Sequence, residues 1–167
     1  TDRPVKFSEL VGGATTLQAR GFTPNAIRVP LRVPADLYAG FSRGVPIWLR
    51  YRYSPPIERN SSTLDISVND RYLQTFRLQP SGRFSLPLID SQDWLGPAEV
   101  RVPAFQLGSD NELQFQFRFE PAKQGRCRST PIDNMQAAID PDSTIDLSDL
   151  PHYKKMPDLA AFVSSGF

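Results

Sequence analysis

Two tryptophans are the residues of this chain best suited to holding a flat, polyhydroxylated ligand. Trp48 lies two and four residues before Arg50 and Arg52, so the three share one side of a period-two pattern. Trp94 stands in a polar stretch that runs from Asp90 to Pro97. An indole face packs against the C–H groups of a sugar ring, and guanidinium groups donate hydrogen bonds to its hydroxyls. We therefore predict that Trp94, Trp48, Arg50 and Arg52 contact carbohydrate. The alternative is that both tryptophans pack against the core or cap one end of it.

A second polar set has the same chemistry without an aromatic ring. Gln114, Gln116 and Arg118 alternate with apolar residues, and Asp65, Ser67 and Asn69 do the same earlier in the chain. If these strands are neighbours, amides, carboxylates and hydroxyls share one sheet face, so Gln114 and Gln116 join the candidate carbohydrate contacts. A solvated outer face with no ligand explains the same pattern.

The residue types needed for covalent or metal chemistry are scarce. His152 is the single histidine and is flanked by Pro151 and Tyr153, so a serine–histidine pair has one weak candidate. Cys127 is the single cysteine, which excludes an internal disulfide and a cysteine cage for metal. We predict no catalytic residue, no cofactor and no enzymatic activity.

One acidic run imitates the start of a calcium-binding loop. Asp140, Asp142, Thr144 and Asp146 have the right spacing, yet Ile145 stands where glycine is needed and Pro151 where glutamate is needed. Turn and strand polarity accounts for these acids, and we predict no metal site.

The length of the chain predicts one domain, and its charge balance gives no indication of a strongly charged partner. The chain has 167 residues, 19 of them basic and 18 acidic, and a formal charge of +1. That balance gives no reason to expect nucleic acid or an anionic membrane as the main partner. The first residue is Thr1 and no apolar run reaches the roughly 20 residues of a membrane span, so we expect a soluble module excised from a longer protein.

The clearest structural element is a hairpin. Leu64, Ile66 and Val68 alternate with polar residues, and Asn69-Asp70 tolerates the positive φ of a tight turn. Leu73 and Phe76 are three apart on the returning arm, which predicts a bulge near Gln74 or Thr75.

Other short strands surround this hairpin. Alternating patterns predict strands over Ile27–Val33, Val45–Tyr53 and Leu113–Phe119, and an opening strand over Val5–Leu10. Pro30 predicts that the strand over Ile27–Val33 lies at a sheet edge. Phe115, Phe117 and Phe119 point the same way and can fill a core between two sheets.

These elements predict an all-β fold without the strand–helix alternation of a parallel sheet. We expect an antiparallel β-sandwich of jelly-roll type over residues 1–150. Residues 151–167 are expected to form a linker and a short C-terminal helix that begins near Pro157.

Several longer stretches carry a family resemblance. The segments 64–69 and 105–115 resemble galactose-binding-like jelly rolls that occur as carbohydrate-binding modules. A more specific set comprises 32–37, 44–56, 143–148, His152-Tyr153, 156–162 and Gly166-Phe167. Together these resemble the periplasmic, noncatalytic subunit of bacterial cellulose synthase, and within it the second carbohydrate-binding-like jelly roll.

This resemblance implies an accessory role on the periplasmic side of the inner membrane. The expected partners are the catalytic subunit of cellulose synthase, the nascent cellulose chain and other copies of the same subunit. Membrane anchoring is expected only through segments beyond Phe167, and a following α/β module after 151–167. The resemblance supplies no catalytic residues.

Three other functions stay open beside guidance of a β-1,4-glucan. One is a structural spacer that meets neighbouring subunits and has no glycan affinity, and another, weaker, is an enzyme acting on glycans. The third is a cyclic di-GMP-binding regulator, since the family has carried that label. Arg28 and Arg32 resemble a nucleotide clamp, but Asp70 stands where glycine is expected after Ser67, so we predict no nucleotide-binding residues.

Overall fold

A computed structural model describes residues 3–12, 17–34, 36–37, 43–54, 62–78, 94–119 and 135–152. Ten strands and two short helices lie in these ranges. The strands are β1 Val5–Lys6, β2 Gln18–Arg20, β3 Ile27–Arg32, β4 Val45–Tyr53, β5 Thr63–Val68, β6 Arg71–Arg77, β7 Leu95–Val102, β8 Asp110–Arg118, β9 Gln136–Ile139 and β10 Thr144–Ile145. The helices are α1, Phe7–Leu10, and a 3-10 turn at Ala104–Gln106.

The strands form two antiparallel sheets. A six-stranded sheet has the order β1-β10-β4-β9-β2, with β7 paired to the opposite edge of β4, and a four-stranded sheet has the order β3-β8-β5-β6. The expected all-β antiparallel sandwich is confirmed.

The core lies between the two sheets and is made by the period-two patterns. Ile47 and Leu49 on β4 are fully buried, as are Phe115 and Phe117 on β8, and Phe119 is nearly so. Phe115 packs against Phe7 with ring centroids 5.7 Å apart. The in-phase phenylalanines therefore fill the interior as predicted, because alternate side chains of a strand share one face.

The central hairpin forms where the sequence places it. Asn69 and Asp70 have φ values of 50° and 62°, and β5 and β6 pair on either side of them. The extra residue is Leu73, since Ile66 faces Gln74 while Ser67 faces Tyr72. The predicted bulge is therefore real, but it lies one residue before the expected position.

Among the strands in the described ranges, β3 and β6 are the outer ones of the four-stranded sheet. Within that part of the chain β3 has the expected edge position, and Pro30 lies within it, opposite Glu112 on β8. The other edge strand, β6, contains the Leu73 bulge.

The opening segment differs from its prediction. The expected strand over Val5–Leu10 ends at Lys6, and Phe7–Leu10 forms one helical turn. The Lys6 amide and the Arg3 guanidinium both donate to Glu9, which bends the chain back. Phe7 and Leu10 are three apart, so this turn directs both toward the core, which a strand could not do.

Neither helix in the described ranges has the length and apolar character that a membrane crossing requires. The predicted C-terminal helix near Pro157 and the residues around Cys127 lie outside the described ranges.

Candidate functional site

The first candidate surface is the outer face of β4. Val45, Ile47 and Leu49 point into the core, which turns the alternate residues outward. Trp48 is 39% exposed and is among the exposed large hydrophobic residues of the described ranges, although tryptophans are highly buried on average. The predicted outward position of Trp48 is thus what the structure shows.

Trp94 joins this surface at the far end of β4. It directly precedes β7, whose first residue Leu95 pairs with Tyr51. Arg52 lies next to that pair, and its Cζ atom stands 4.6 Å from the centroid of the Trp94 ring. A guanidinium at this distance is held by the ring's electron-rich face. We call the surface of Trp48, Arg50, Arg52 and Trp94 the tryptophan face.

Trp48 has polar neighbours on both sides. Glu99 of β7 and Thr144 of β10 are its partners in register. Arg101 holds the Glu99 carboxylate at 2.5 Å, so the acid is oriented before any ligand arrives. Glu99 was not among the predicted residues, although its alternation with Val100 and Val102 is visible in the sequence.

Arg50 is anchored where β9 and β10 leave a gap beside β4. The Asp140 amide donates to the Arg50 carbonyl at 2.8 Å, and the Arg50 amide donates to Ser143 Oγ at 3.0 Å. Arg50 Nη1 lies 3.3 Å from Asp140 Oδ2, which is buried and accepts no hydrogen bond. The contact is therefore a charge interaction, and it leaves the Arg50 side chain 40% exposed.

Gln114 and Gln116 lie on a different surface. Both are on β8, on the outer side of the four-stranded sheet, where Ser67 and Asp65 are their partners in register. The strands that carry this polar set are neighbours, as the prediction required. The structure thus divides the six predicted contacts, because β4 and β8 belong to opposite sheets. We call this second surface the glutamine face.

The arginines of the supposed nucleotide clamp are already engaged. Arg28 contacts Glu112 at 2.5 Å and Arg32 contacts Asp110 at 3.0 Å, both across the β3–β8 pair. Each guanidinium is neutralised by its neighbour, which weakens its attraction for a phosphate.

The acidic run also has ordinary partners. Asp140 Oδ1 accepts the Asp142 amide, and Asp142 accepts from the Lys6 ammonium at 2.8 Å, a bond that lowers the pKa of the Asp142 carboxyl. Within the described ranges no three histidine, cysteine or acidic side chains converge as a metal site.

His152 lies at the end of the described chain and contacts Asp36. Its Nδ1 atom is 2.7 Å from Asp36 Oδ2, and this hydrogen bond lowers the pKa of the Asp36 carboxyl. Both side chains are about half exposed. The pair ties the segment near Leu37 to the segment near His152.

Two exposed aromatic residues escaped the sequence reasoning. Tyr72 on β6 is 66% exposed, and Phe105 in the 3-10 turn is 76% exposed. The signal for Tyr72 was the phase shift in the returning hairpin arm, which moves it to the outer face once the bulge is placed at Leu73. Nothing in the local sequence of Phe105 marks it as exposed.

Comparison with known proteins adds a family to this geometry. The family described as "Cellulose synthase BcsB, second CBM domain" matches residues 4–144.

Curated relatives match over the whole chain. A "Cyclic di-GMP-binding protein" of Salmonella typhi is 42% identical, and one of Escherichia coli K12 is 40% identical. A "Putative cellulose synthase 2" of Komagataeibacter xylinus is 37% identical. The chain spans only 23%, 22% and 11% of these three proteins respectively.

Proposed function

Because the chain belongs to the family of second carbohydrate-binding-module domains of the cellulose synthase protein BcsB, we propose that it is a noncatalytic module that contacts a β-1,4-glucan. The contact surface is the tryptophan face. Residues 1–150 form the binding module, and 151–167 link it to a following module. The parent protein supports the catalytic subunit of cellulose synthase from the periplasmic side of the inner membrane and assembles with other copies of itself.

The observation that carries this proposal is an exposed Trp48 in line with the Arg52–Trp94 stack. Four residues of strand separate Trp48 from Arg52, a distance of about 13 Å. A regular strand holds both groups at a fixed spacing, so an extended chain lying along β4 meets two aromatic positions without reordering the protein. A rigid linear track suits a linear polysaccharide.

The polar groups on this face complement sugar hydroxyls. Glu99 supplies an acceptor beside Trp48, and Arg50 and Arg52 supply donors further along. Arg101 and Asp140 hold the first two of these side chains, which limits the entropy lost on binding.

Affinity electrophoresis and calorimetry with cello-oligosaccharides test the proposal. We expect Trp48→Ala to weaken binding at least tenfold, equivalent to about 1.4 kcal/mol, because the stacking surface is removed. Arg52→Ala removes a donor and the cation over Trp94, and is expected to weaken binding as well. Phe105→Ala is the matched control, since it deletes another exposed aromatic ring that lies on neither face.

Wild-type protein without measurable affinity for the oligosaccharides would contradict the proposal. Equal losses in Trp48→Ala and Phe105→Ala would contradict the assignment of the face. Release of reducing ends would contradict the noncatalytic part.

A structural spacer is the second candidate, and the exposure of Phe105 favours it. A phenylalanine that is 76% exposed offers an apolar ring with which a neighbouring subunit can make contact. In that case Phe105→Ala, and not Trp48→Ala, weakens assembly with the other synthase components, and the isolated chain shows no affinity for glycan.

A further inference from the structure

Four side chains cross the outer side of the four-stranded sheet in one row. Tyr72 faces Ser67, Ser67 faces Gln114, and Gln114 faces Arg28, so the row passes over all four strands from β6 to β3. Residues paired in register have Cβ atoms about 5 Å apart. We call this the tyrosine row; it crosses the glutamine face.

Tyr72 gives the row an aromatic ring that faces solvent. It is 66% exposed, and the residue beside it, Ser67, has one of the smallest polar side chains. No large side chain therefore stands between the ring and Gln114 in the row. The pleat and the bulge at Leu73 set the position of Tyr72, so its backbone is fixed by strand pairing.

Gln114 is the most buried residue of the row, and its amide has a fixed orientation. Only 7% of the residue is exposed, and its Nε2 atom donates to Asp70 Oδ1 and Glu112 Oε1, each at 2.9 Å. Both amide hydrogens are used, which fixes the orientation of the amide. Its carbonyl oxygen is then the atom left to accept a hydrogen bond from a ligand.

Three ion pairs offset most of the charge of this face, and Asp70 and Arg77, which lie on it outside those pairs, have opposite signs. Arg28 contacts Glu112, Arg118 contacts Asp65 and Arg32 contacts Asp110, each across neighbouring strands. A face of neutralised pairs, amides and hydroxyls offers little to a phosphate or to a strongly charged protein surface. It suits a neutral ligand that carries many hydroxyls.

We propose that the tyrosine row is a second glycan-contacting site, in which Tyr72 stacks on a sugar ring while Gln114 and Arg28 bind its hydroxyls. The identity of the ligand rests on the function proposed above, but no residue of the tryptophan face takes part. The two faces lie on opposite sheets of one sandwich, whose sheets are about 10 Å apart. One module therefore binds two glucan segments and can bridge neighbouring chains.

Calorimetry with cellohexaose on the 167-residue chain tests the number of sites. We expect two sites in wild type, one in Tyr72→Ala, one in Trp48→Ala and none in the double variant. Tyr72→Phe keeps the ring and is expected to retain two sites, while Phe105→Ala controls for loss of an exposed ring elsewhere. Thermal melts of all variants verify that each is folded.

The outcomes separate this inference from the proposed function. A single site that Trp48→Ala removes and Tyr72→Ala leaves unchanged overturns the tyrosine row and leaves the tryptophan face standing. A single site that only Tyr72→Ala removes supports the tyrosine row and overturns the tryptophan face. No binding by wild type overturns both.

Discussion

Replacement of Asn111 should expose how strongly one buried amide stabilises the hairpin end of the sandwich. Asn111 is only 6% exposed. Its Nδ2 atom donates to the carbonyls of Leu31 and Gly108 at 3.3 Å and 2.9 Å. Its Oδ1 atom accepts from the Gly108 amide at 2.7 Å and from Asn69 Nδ2 at 3.0 Å. One side chain thus ties β3, the loop before β8 and the hairpin turn together.

The expected cost of Asn111→Ala follows from these four bonds. A buried polar group left without a partner costs about 1–3 kcal/mol. The Leu31 carbonyl belongs to a residue that is 1% exposed, whereas Gly108 and Asn69 are both exposed and can turn to water, and Asn69 keeps its bond to the Gln106 carbonyl. One buried group that loses a partner gives a loss of roughly 1–3 kcal/mol, a substantial part of the stability of an ordinary domain.

Asn111→Asp is the sharper test because it keeps the shape of the side chain. The two acceptor bonds survive, but a carboxylate oxygen replaces the donor that faces the Leu31 and Gly108 carbonyls. A protonated carboxyl can donate to one of them, so folding raises the pKa of the new carboxyl above its unfolded value of about 3.9. The variant is therefore closest to wild type below that pH and loses stability as the pH rises through the folded value.

Urea unfolding at pH 3.5 and pH 7 measures this difference, with the exposed Asn25→Asp as control. We expect the gap between wild type and Asn111→Asp to widen from the lower to the higher pH, and the gap for Asn25→Asp to stay small at both. A gap for Asn111→Asp that is constant or narrows toward pH 7 would refute the reasoning.

Two further outcomes follow from other parts of the structure. Gly96→Ala should lower the free energy of unfolding by more than about 1 kcal/mol, because the φ of Gly96 is +108° and an added Cβ would lie 2.5 Å from the Leu49 carbonyl oxygen. A thermal melt measures this, and Gly108→Ala is the control, since its Cβ would meet nothing closer than 4.0 Å. Acid should loosen the first described residues. The Arg3 hydrogen bond holds the pKa of the Glu9 carboxyl at about 2, below the ordinary 4.5. The stability that the Glu9 carboxylate contributes is therefore present above the ordinary pKa and is lost as the pH falls through the folded pKa. The Lys6 amide, which donates to Glu9, should be better protected from hydrogen exchange in wild type than in a Glu9→Gln variant above the ordinary value, and the two should converge near pH 2. Equal protection in both at every pH would count against this.

The sequence predicted the elements whose signal is local and periodic. β4 has the predicted bounds, and the hairpin turn at Asn69-Asp70 and the buried phenylalanines of β8 are where their patterns put them. In each case the side-chain period itself decides which face is buried.

What the sequence did not predict depends on contacts between distant segments. The helical turn at Phe7–Leu10 is fixed by Glu9 and by backbone bonds to Pro141 and Ser143, more than 100 residues away. The position of Tyr72 depends on a bulge that only strand pairing defines. For the candidate sites, alternation indicated which side chains point outward, but the separation of β4 from β8 required the sheet order.

The two edges of the four-stranded sheet affect how copies of this module can associate. Pro30 has no amide hydrogen to offer a passing strand, and the Leu73 bulge twists the opposite margin out of regular spacing. Both margins are consequently poor templates for open-ended strand addition. Copies of this module that lie close together are therefore expected to meet through their faces and loops rather than by adding strands to these edges.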